Sequence, residues 1–312
     1  MSEFDTYYPP KPEITRKKSD NHLSKTIFSI VLFAVTFSII IDDYLFILIL
    51  IGVLLVHELG HYLMMKRYGY ENLNMFFIPF MGAMVQGEKD KYSQRETLVM
   101  VLSGPVPGVV IGAALLIYGN YESNWLIQLG VLAIVINALN LLPIDPLDGG
   151  KVFQSLFFSN RMLFQFIFSF ASSLVVISIG FYFNSWIIMI FGFLIGFRVK
   201  SLYKSYQIRT VMKEKNISYE SNYESISDKT YNKIKSIIIE FNPILKRIKE
   251  ESDEERYNQI IAHQVDGTLA NPIKKDASVL FKLIALLIWL GSIALSIYTL
   301  LIIDFNSIIN AF

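Results

Sequence analysis

The sequence predicts an all-α polytopic membrane protein with about seven transmembrane helices, a short membrane-associated β-hairpin and a small cytoplasmic helical segment. Three observations lead to this fold class. The 312 residues are 53% apolar with a mean hydropathy of +0.43, which is too hydrophobic for an ordinary soluble domain. Seven apolar runs approach the ~20 residues that a helix needs to cross a bilayer. If every run crosses once, all loop Lys and Arg residues fall on one side.

The apolar runs set the predicted spans and their orientation. They lie at 26–41, 44–65, 98–118, 125–143, 162–180, 182–198 and 279–303. The fifth and sixth runs are almost continuous, too long for one crossing, and fit a hairpin that turns between Gly180 and Ser185. The inner segments are then 1–25, 66–97, 144–161 and 199–278, which contain every loop Lys and Arg. We therefore expect a cytoplasmic N-terminus.

Four domains follow from these spans. Residues 1–25 form a polar tail, 26–198 a core of about six spans, 199–278 a cytoplasmic helical segment, and 279–303 a C-terminal transmembrane helix. The tail is too long for the start of a cleaved signal peptide, and we expect it to be loose. In 199–278 apolar residues recur at helical spacing, with a break expected at Pro243. A solvated linker with amphipathic helices on the membrane surface fits this pattern equally well.

Ionisable residues occur inside the second span, in the stretch "VHELGHYL" at residues 56–63. Such groups are costly in hydrocarbon and indicate a functional site. His57 and His61 are four apart, so on a helix they share a face and can bind one zinc ion, with Glu58 beside them as general base. Gly60 leaves room for another backbone to approach. The alternative, two unrelated histidines packed in a bundle, must explain why three costly residues coincide.

A catalytic zinc needs a third protein ligand, and the chain has no cysteine to supply one. His22 and His263 are possible ligands, but a carboxylate from the inner half of the membrane fits better. Residues 137–151, "NALNLLPIDPLDGGK", end the fourth span on that side and offer Asp145 and Asp148. Irregular backbone at membrane depth is tolerated where it is buried in protein or lines a cavity. A metal-bearing cavity agrees with that condition.

The H-E-L-G-H stretch, together with N-x-x-P-x-x-x-L-D-G at residues 140–149, resembles the site-2 protease family of intramembrane zinc metallopeptidases. The resemblance covers roughly residues 44–155. It implies that His57, His61 and Asp148 bind zinc and that Glu58 activates the water. It also implies that Asn140 holds the substrate backbone or the developing oxyanion. "LSGPVPG" at residues 102–108 is similar to the family's A-G-P element, with a serine in place of the usual alanine.

An aromatic and apolar run, "NMFFIPFMGAMVQG" at residues 74–87, lies between these motifs. Its proline and glycine suggest a short hairpin that dips into the membrane, and the resemblance supports a membrane-associated β element here. Gly82, Ala83 and Met84 would form an exposed edge that can pair with an extended substrate. An interfacial apolar loop is the alternative.

These features predict a zinc-dependent intramembrane endopeptidase with its active site near the cytoplasmic face. The expected substrate is a single-span membrane protein in the lipid bilayer, and nothing indicates a nucleic-acid partner or an oligomeric state. A membrane-anchored zinc protease, a metal or ion transporter and a non-catalytic homologue that binds membrane proteins are the alternatives. A transporter would need polar residues along several spans, whereas here the ionisable groups form one inner cluster. Abundant Ile, Asn and Lys suggest an A·T-rich genome and a multi-pass protein of a bacterial cell membrane.

Overall fold

The computed structural model describes residues 8–14, 22–89, 91–119, 123–157, 162–270, 273–303 and 308. Within those residues the helices are α1 (His22–Ser38), α2 (Tyr44–Arg67), α3 (Gln94–Leu102), α4 (Pro105–Tyr118), α5 (Asn124–Asn140), α6 (Asp148–Phe157), α7 (Met162–Tyr182), α8 (Trp186–Glu214), α9 (Asp228–Phe241), α10 (Ile244–Glu251), α11 (Glu254–Thr268) and α12 (Val279–Ile302). The strands are β1 (Glu71–Ile78), β2 (Gly82–Glu88), β3 (Tyr92–Ser93) and β4 (Ile273–Lys274).

Among the described residues, five helical segments are long and apolar enough to cross a membrane. They are Tyr44–Arg67, Gln94–Tyr118, Met162–Tyr182, Trp186–Glu214 and Val279–Ile302. Two further apolar helices, Leu23–Ser38 and Asn124–Asn140, are shorter than the ~20 residues of a full crossing. The polytopic, mostly helical class is therefore confirmed, while the count of seven spans stays a prediction.

The turn expected between the fifth and sixth runs is present. Helix α7 ends at Tyr182 and α8 begins at Trp186. The two helices approach closely because Gly192 has no side chain: an added Cβ would lie 2.5 Å from Cγ1 of Ile177. The hydroxyl of Ser173 donates to the carbonyl of Gly192 at 2.8 Å across the same contact. Small residues and hydroxyl hydrogen bonds of this kind are typical of helix packing in membranes.

Strands β1 and β2 form the predicted antiparallel hairpin, not an irregular loop. Phe77 pairs with Ala83 and Ile78 with Gly82, whose φ of +91° is a conformation that glycine adopts without strain. The outer edge of β1 is covered by α1. There the main-chain N–H of Phe77 donates to the Ser29 hydroxyl at 3.1 Å, and the Thr26 hydroxyl donates to the Met75 carbonyl at 2.8 Å. The hairpin thus has one occupied edge and one outer edge on β2.

The chain separates into two compact units. One contains residues 8–14, 162–270 and 273, and the other contains the described residues of 22–157 together with 274–303 and 308. In the second unit, α3, α4, α5 and α6 share a core with α12 that includes Leu98, Val109, Leu116, Ile134 and Trp289. The indole N–H of Trp289 donates to the carbonyl of Leu141 at 2.8 Å, which fixes the point where α5 gives way to the loop before α6.

Residues 217–269, which we call the helical module, share a core with Ile208 and Met212 near the end of α8. Its buried side chains include Ile234 and Ile237 of α9, Leu245 of α10, and Ile261 and Val265 of α11. Pro243 separates α9 from α10, as predicted; a second break precedes α11, where Asp253 caps the helix by accepting from the N–H of Arg256. A shared core favours a folded module over separate helices on a membrane surface. Its cytoplasmic location stays a prediction.

Residues 8–14 of the N-terminal tail differ from the loose segment that the composition predicts. Residues 8–14 bind the helical module through hydrogen bonds to partners more than 200 positions away, such as that between the Tyr223 hydroxyl and the Pro12 carbonyl. Local composition contains no information about contacts at that sequence separation, so the sequence pattern could not predict them.

Candidate metal centre

Helix α2 carries the two motif histidines one turn apart on its buried side. His57 is 3% exposed and the neighbouring Glu58 5% exposed, although both are ionisable side chains in a helix of membrane-spanning length. Burying such groups is costly unless they are paired or bind a metal. The structure supplies partners for the histidines from α5, from α3 and from the start of α6.

Three side-chain atoms converge at this point. Nε2 of His57 and Nε2 of His61 lie 3.1 Å apart, and Oδ2 of Asp148 lies 3.1 Å from the first and 2.9 Å from the second. Ligands of a tetrahedral zinc, at bond lengths of 2.0–2.2 Å, are separated from one another by about 3.3 Å. These three residues form a group that could hold a metal ion, and the atoms are within a few tenths of an ångström of the separation required.

Hydrogen bonds to the far ring nitrogens fix the tautomers of both histidines. Nδ1 of His57 contacts Oδ1 of Asn137 at 2.7 Å, and Nδ1 of His61 contacts the main-chain carbonyl of Met100 at 2.8 Å. Because both oxygens are acceptors, each Nδ1 carries the proton and donates it. Each Nε2 then presents a lone pair toward the other and toward a carboxylate oxygen. Three converging electron-pair donors repel one another unless a cation lies between them, so the donor set fits a divalent metal.

Close packing around a serine and two glycines sets the position of His61. A Cβ on Gly60 would lie 2.0 Å from the carbonyl oxygen of Ser103, so the predicted close approach of another backbone at Gly60 is confirmed. The Ser103 hydroxyl donates to the Gly60 carbonyl at 2.9 Å. A Cβ on Gly104 would lie 2.3 Å from Nε2 of His61. The "LSGPVPG" stretch therefore provides the space in which the His61 ring lies.

Asn137 is a site residue that the sequence interpretation missed. It is 1% exposed, it accepts from His57, and its Nδ2 donates to the carbonyl of Ala133 at 2.7 Å. A Cβ on Gly108 would lie 2.1 Å from that amide nitrogen, so the glycine makes room for it. An asparagine in the middle of an apolar helix was the available signal, since buried polar groups in spans usually have a specific partner.

The third atom comes from the first residue of α6. A Cβ on Gly149 would lie 2.0 Å from the carbonyl oxygen of Leu141, so the loop after α5 folds back directly onto the start of α6. Oδ2 of Asp148 faces the histidines, while Oδ1 accepts from the Lys151 ammonium at 3.0 Å. Asp145 is also buried but lies outside the three-residue group; its Oδ1 is 3.5 Å from Nε2 of Gln154.

The remaining predicted residues lie around this group. Glu58 adjoins His57, lies within charge–charge range of His61 and Asp148, and is not part of the ligand group. Asn140 ends α5, and its Nδ2 donates to the carbonyl of Ile136 at 3.0 Å. Gly82, Ala83 and Met84 lie in β2, with Met84 exposed. The described structure thus brings His57, His61 and Asp148 together, and the roles of the others stay predictions.

We expect Asn137→Ala to weaken zinc binding by about 10–100-fold, as is typical when the partner of a metal-binding histidine is removed. The substitution leaves Nδ1 of His57 without its acceptor, so the ring is free to rotate or change tautomer. Competition with a chelator of known affinity measures the change. Asn140→Ala, three residues along the same helix, is the control and should bind zinc normally, because the Asn140 amide donates to the Ile136 carbonyl of its own helix. Equal losses in the two variants would contradict an orienting role for Asn137.

Comparisons with known proteins match part of this chain. Residues 45–124 match the model of peptidase family M50. Zinc metalloprotease MJ0392 of Methanocaldococcus jannaschii is 31% identical over 118 residues, which cover 36% of this chain and 34% of that protein. Stage IV sporulation protein FB of Bacillus subtilis is 29% identical over 126 residues, covering 38% of this chain and 42% of that protein. The chain thus spans roughly a third to two fifths of the length of these curated relatives.

Proposed function

We propose that this chain, a member of the site-2 protease family of membrane zinc metallopeptidases, is a zinc-dependent intramembrane endopeptidase that hydrolyses peptide bonds within or near transmembrane segments. The observation that supports this most strongly is the convergence of Asp148, from the start of α6, on His57 and His61 of α2, a helix of membrane-spanning length that also carries Glu58.

In this proposal Nε2 of His57, Nε2 of His61 and Oδ2 of Asp148 hold the zinc ion. Three protein ligands leave a fourth position open, which distinguishes a catalytic zinc site from a structural one. When bound, the metal lowers the pKa of water to about 7 and polarises the substrate carbonyl. Lys151 engages the other oxygen of Asp148, which orients the carboxylate so that one oxygen faces the histidines.

The Glu58 carboxylate is the proposed general base. It adjoins one histidine and lies close enough to interact electrostatically with the whole group, but its side chain supplies none of the three converging atoms. It can therefore take a proton from the attacking water and return it to the amine that leaves. Its burial excludes bulk water, which would otherwise compete for that proton.

The outer edge of β2 is the proposed docking strip for the substrate backbone. No strand pairs with that edge within the described part of the chain, whereas the edge of β1 is covered by hydroxyls of α1. A helical substrate must unwind before hydrolysis, and its freed N–H and C=O groups then need partners that lipid does not provide. Gly82, Ala83 and Met84 would supply them by strand addition.

Asn140 is proposed to hold the substrate backbone or the developing oxyanion. Its amide N–H groups are the donors required, and one of them is engaged with the Ile136 carbonyl of its own helix. The second N–H of the amide, or a rotation of the side chain, would serve the substrate. The Asn140→Ala control described above therefore has a second use, because it should reduce turnover while leaving zinc binding intact.

The distribution of basic residues supports an active site near the cytoplasmic face of a bacterial cell membrane. With a cytoplasmic N-terminus, every loop Lys and Arg lies on the inner side, and so do Lys66 and Arg67 in the last turn of the helix that carries the histidines. Asp148 and Lys151 lie in the next inner segment, 144–161. The proposed substrate is a single-span protein cut in the cytoplasmic half of its span, which releases its cytoplasmic part.

The test is co-expression of the chain with a panel of single-span proteins of known orientation, followed by cleavage with purified components. At least one span should be cut, and mass spectrometry should place the cut in its cytoplasmic half. A zinc chelator should stop the reaction, and added zinc should restore it. If none of the single-span proteins is cut, or if cleavage continues in the presence of the chelator, the protease assignment is contradicted. Cuts confined to the outer half would overturn only the proposed location of the site.

A further inference from the structure

An extended segment at the N-terminus lies on the surface of the helical module. Residues 8–14, "YPPKPEI", have no helix or strand, and side chains of the module donate to three of their main-chain carbonyls. Asn232 Nδ2 donates to the carbonyl of Pro9 at 2.9 Å, the Tyr223 hydroxyl to that of Pro12 at 2.7 Å, and Gln259 Nε2 to that of Glu13 at 2.8 Å. Side chains of the module thus bind the main chain of an extended segment.

Lys11 occupies a specific pocket at the centre of this contact. Its ammonium nitrogen donates to the carbonyls of Tyr223, Glu224 and Ile226 at 2.7, 2.8 and 2.8 Å. Its main-chain N–H donates to Oδ1 of Asp228 at 2.8 Å. A lysine ammonium has three N–H donors, so all three are satisfied by carbonyl oxygens. The ammonium also lies 5.3 Å from the centre of the Tyr223 ring, within range of a cation–π interaction.

The pocket is matched to an ammonium, not to any cation. Three carbonyls that converge on one nitrogen fit a compact point charge with three donors. A guanidinium is planar and spreads its five donors over a wider fork, so it cannot direct three of them at one point. Acetylation removes the charge and leaves one N–H, which forfeits two of the three hydrogen bonds.

Tyr223 contacts the segment twice: its ring lies near the Lys11 ammonium, and its hydroxyl donates to the Pro12 carbonyl. Burial, together with the nearby Asp266, Glu224 and Asp228, raises the pKa of its hydroxyl to about 12. The hydroxyl therefore keeps its proton at physiological pH and can donate to the Pro12 carbonyl throughout that range. The same acidic groups make this side of the module favourable for a positive charge.

The module does not need the segment to complete its core. The buried members of that core all lie between Ile208 of α8 and Leu269 of the module, and the segment adds a partly buried Ile14 that packs against them. The prolines at 9, 10 and 12 have no N–H and favour an extended conformation before binding, which lowers the entropy lost when the peptide is bound. The segment thus resembles a peptide ligand that is covalently linked to the protein that binds it.

We propose that the helical module is a peptide-binding module that takes an extended, proline-flanked lysine peptide, and that the chain's own residues 8–14 occupy this site in cis. The occupant can be exchanged for a peptide of the same chemistry, and modification of the Lys11 ammonium releases it. This inference does not depend on the protease assignment, since none of the residues involved belongs to the metal centre.

The experiment uses the full chain with a site for a sequence-specific protease inserted between Lys17 and Lys18 and a tag at the C-terminus. After cutting, the tagged chain is washed until the N-terminal fragment is removed, and binding of a fluorescent peptide of residues 7–15 is measured by anisotropy. Every arm uses the same cleaved chain, so differences in affinity cannot come from misfolding of the module. The variant peptides carry Lys11→Arg, ε-acetylated Lys11, or Glu13→Gln.

We expect the unmodified peptide to bind and the Lys11→Arg and acetylated peptides to bind at least about tenfold more weakly, because each loses charge-assisted hydrogen bonds. Glu13→Gln is the matched control and should bind like the unmodified peptide, since Glu13 is exposed and contributes its main-chain carbonyl. Equal affinity of the arginine and lysine peptides would overturn the ammonium pocket. Failure of the unmodified peptide to bind would show that the contact belongs to the fold and is not a ligand site.

Discussion

Glu58→Gln is expected to bind about one zinc ion per chain, as the wild type should, and to lose turnover by about 10²–10⁴-fold. The change keeps the size of the side chain and one acceptor oxygen but removes the group that takes the proton. Because Glu58 supplies none of the three converging atoms at the metal centre, the ligand set is untouched. Burying a neutral amide also costs less free energy than burying a carboxylate, so we expect the variant to fold as stably as the wild type.

The measurement compares wild type and Glu58→Gln on one detergent-solubilised single-span substrate, with zinc content determined for both. Glu240→Gln is the matched control, because Glu240 is exposed on α9 in the helical module. It should cleave at the wild-type rate. The Glu58→Gln variant should also retain uncut substrate, since the β2 edge around Gly82 is unchanged. Comparable cleavage by wild type and Glu58→Gln would remove the proton-transfer role and, with it, the proposed mechanism.

Sequence spacing alone predicted the half of the metal centre that lies on one helix. Residues four apart on a helix share a face whatever the tertiary fold, so His57 and His61 could be paired without any knowledge of their surroundings. Gly60 could be interpreted in the same way, because a glycine between two site residues in an apolar helix needs a packing reason. Short-range geometry of this kind can be predicted directly from the sequence, because it depends only on residues close together in the chain.

The other half of the centre depended on contacts between distant segments. Asp145 and Asp148 both lie in the loop after α5, and spacing could not choose between them; the family resemblance pointed to Asp148. Only the structure shows why Asp148 and Asp145 differ: Asp148 begins α6, and its Oδ2 faces the two histidines. Asn137 and Gly108 were missed because their roles depend on contacts between helices: Asn137 accepts from His57 of α2, and Gly108 of α4 makes room for the Asn137 amide. The N-terminal segment was missed for the same reason.

The second large effect concerns the metal itself. Asp148→Ala is expected to lose most of the bound zinc, a larger loss than the about 10–100-fold expected when an outer partner such as Asn137 is removed. The substitution deletes one of three ligand atoms and leaves two imidazoles, which hold zinc poorly without a third protein ligand. Lys151 loses its partner as well, but its side chain is 53% exposed and can be solvated, so no unpaired charge is buried.

Asp145→Ala separates this effect from a general disturbance of the loop. Asp145 is buried in the same turn, three residues away, and lies outside the three-residue group, so its removal should cost stability while zinc content stays near that of the wild type. Zinc per chain is measured by metal analysis after dialysis, and helical content by circular dichroism confirms that both variants are folded. If Asp145→Ala loses the metal and Asp148→Ala keeps it, the ligand assignment is wrong. If both variants keep it, the metal is held elsewhere and the convergence of His57, His61 and Asp148 needs another explanation.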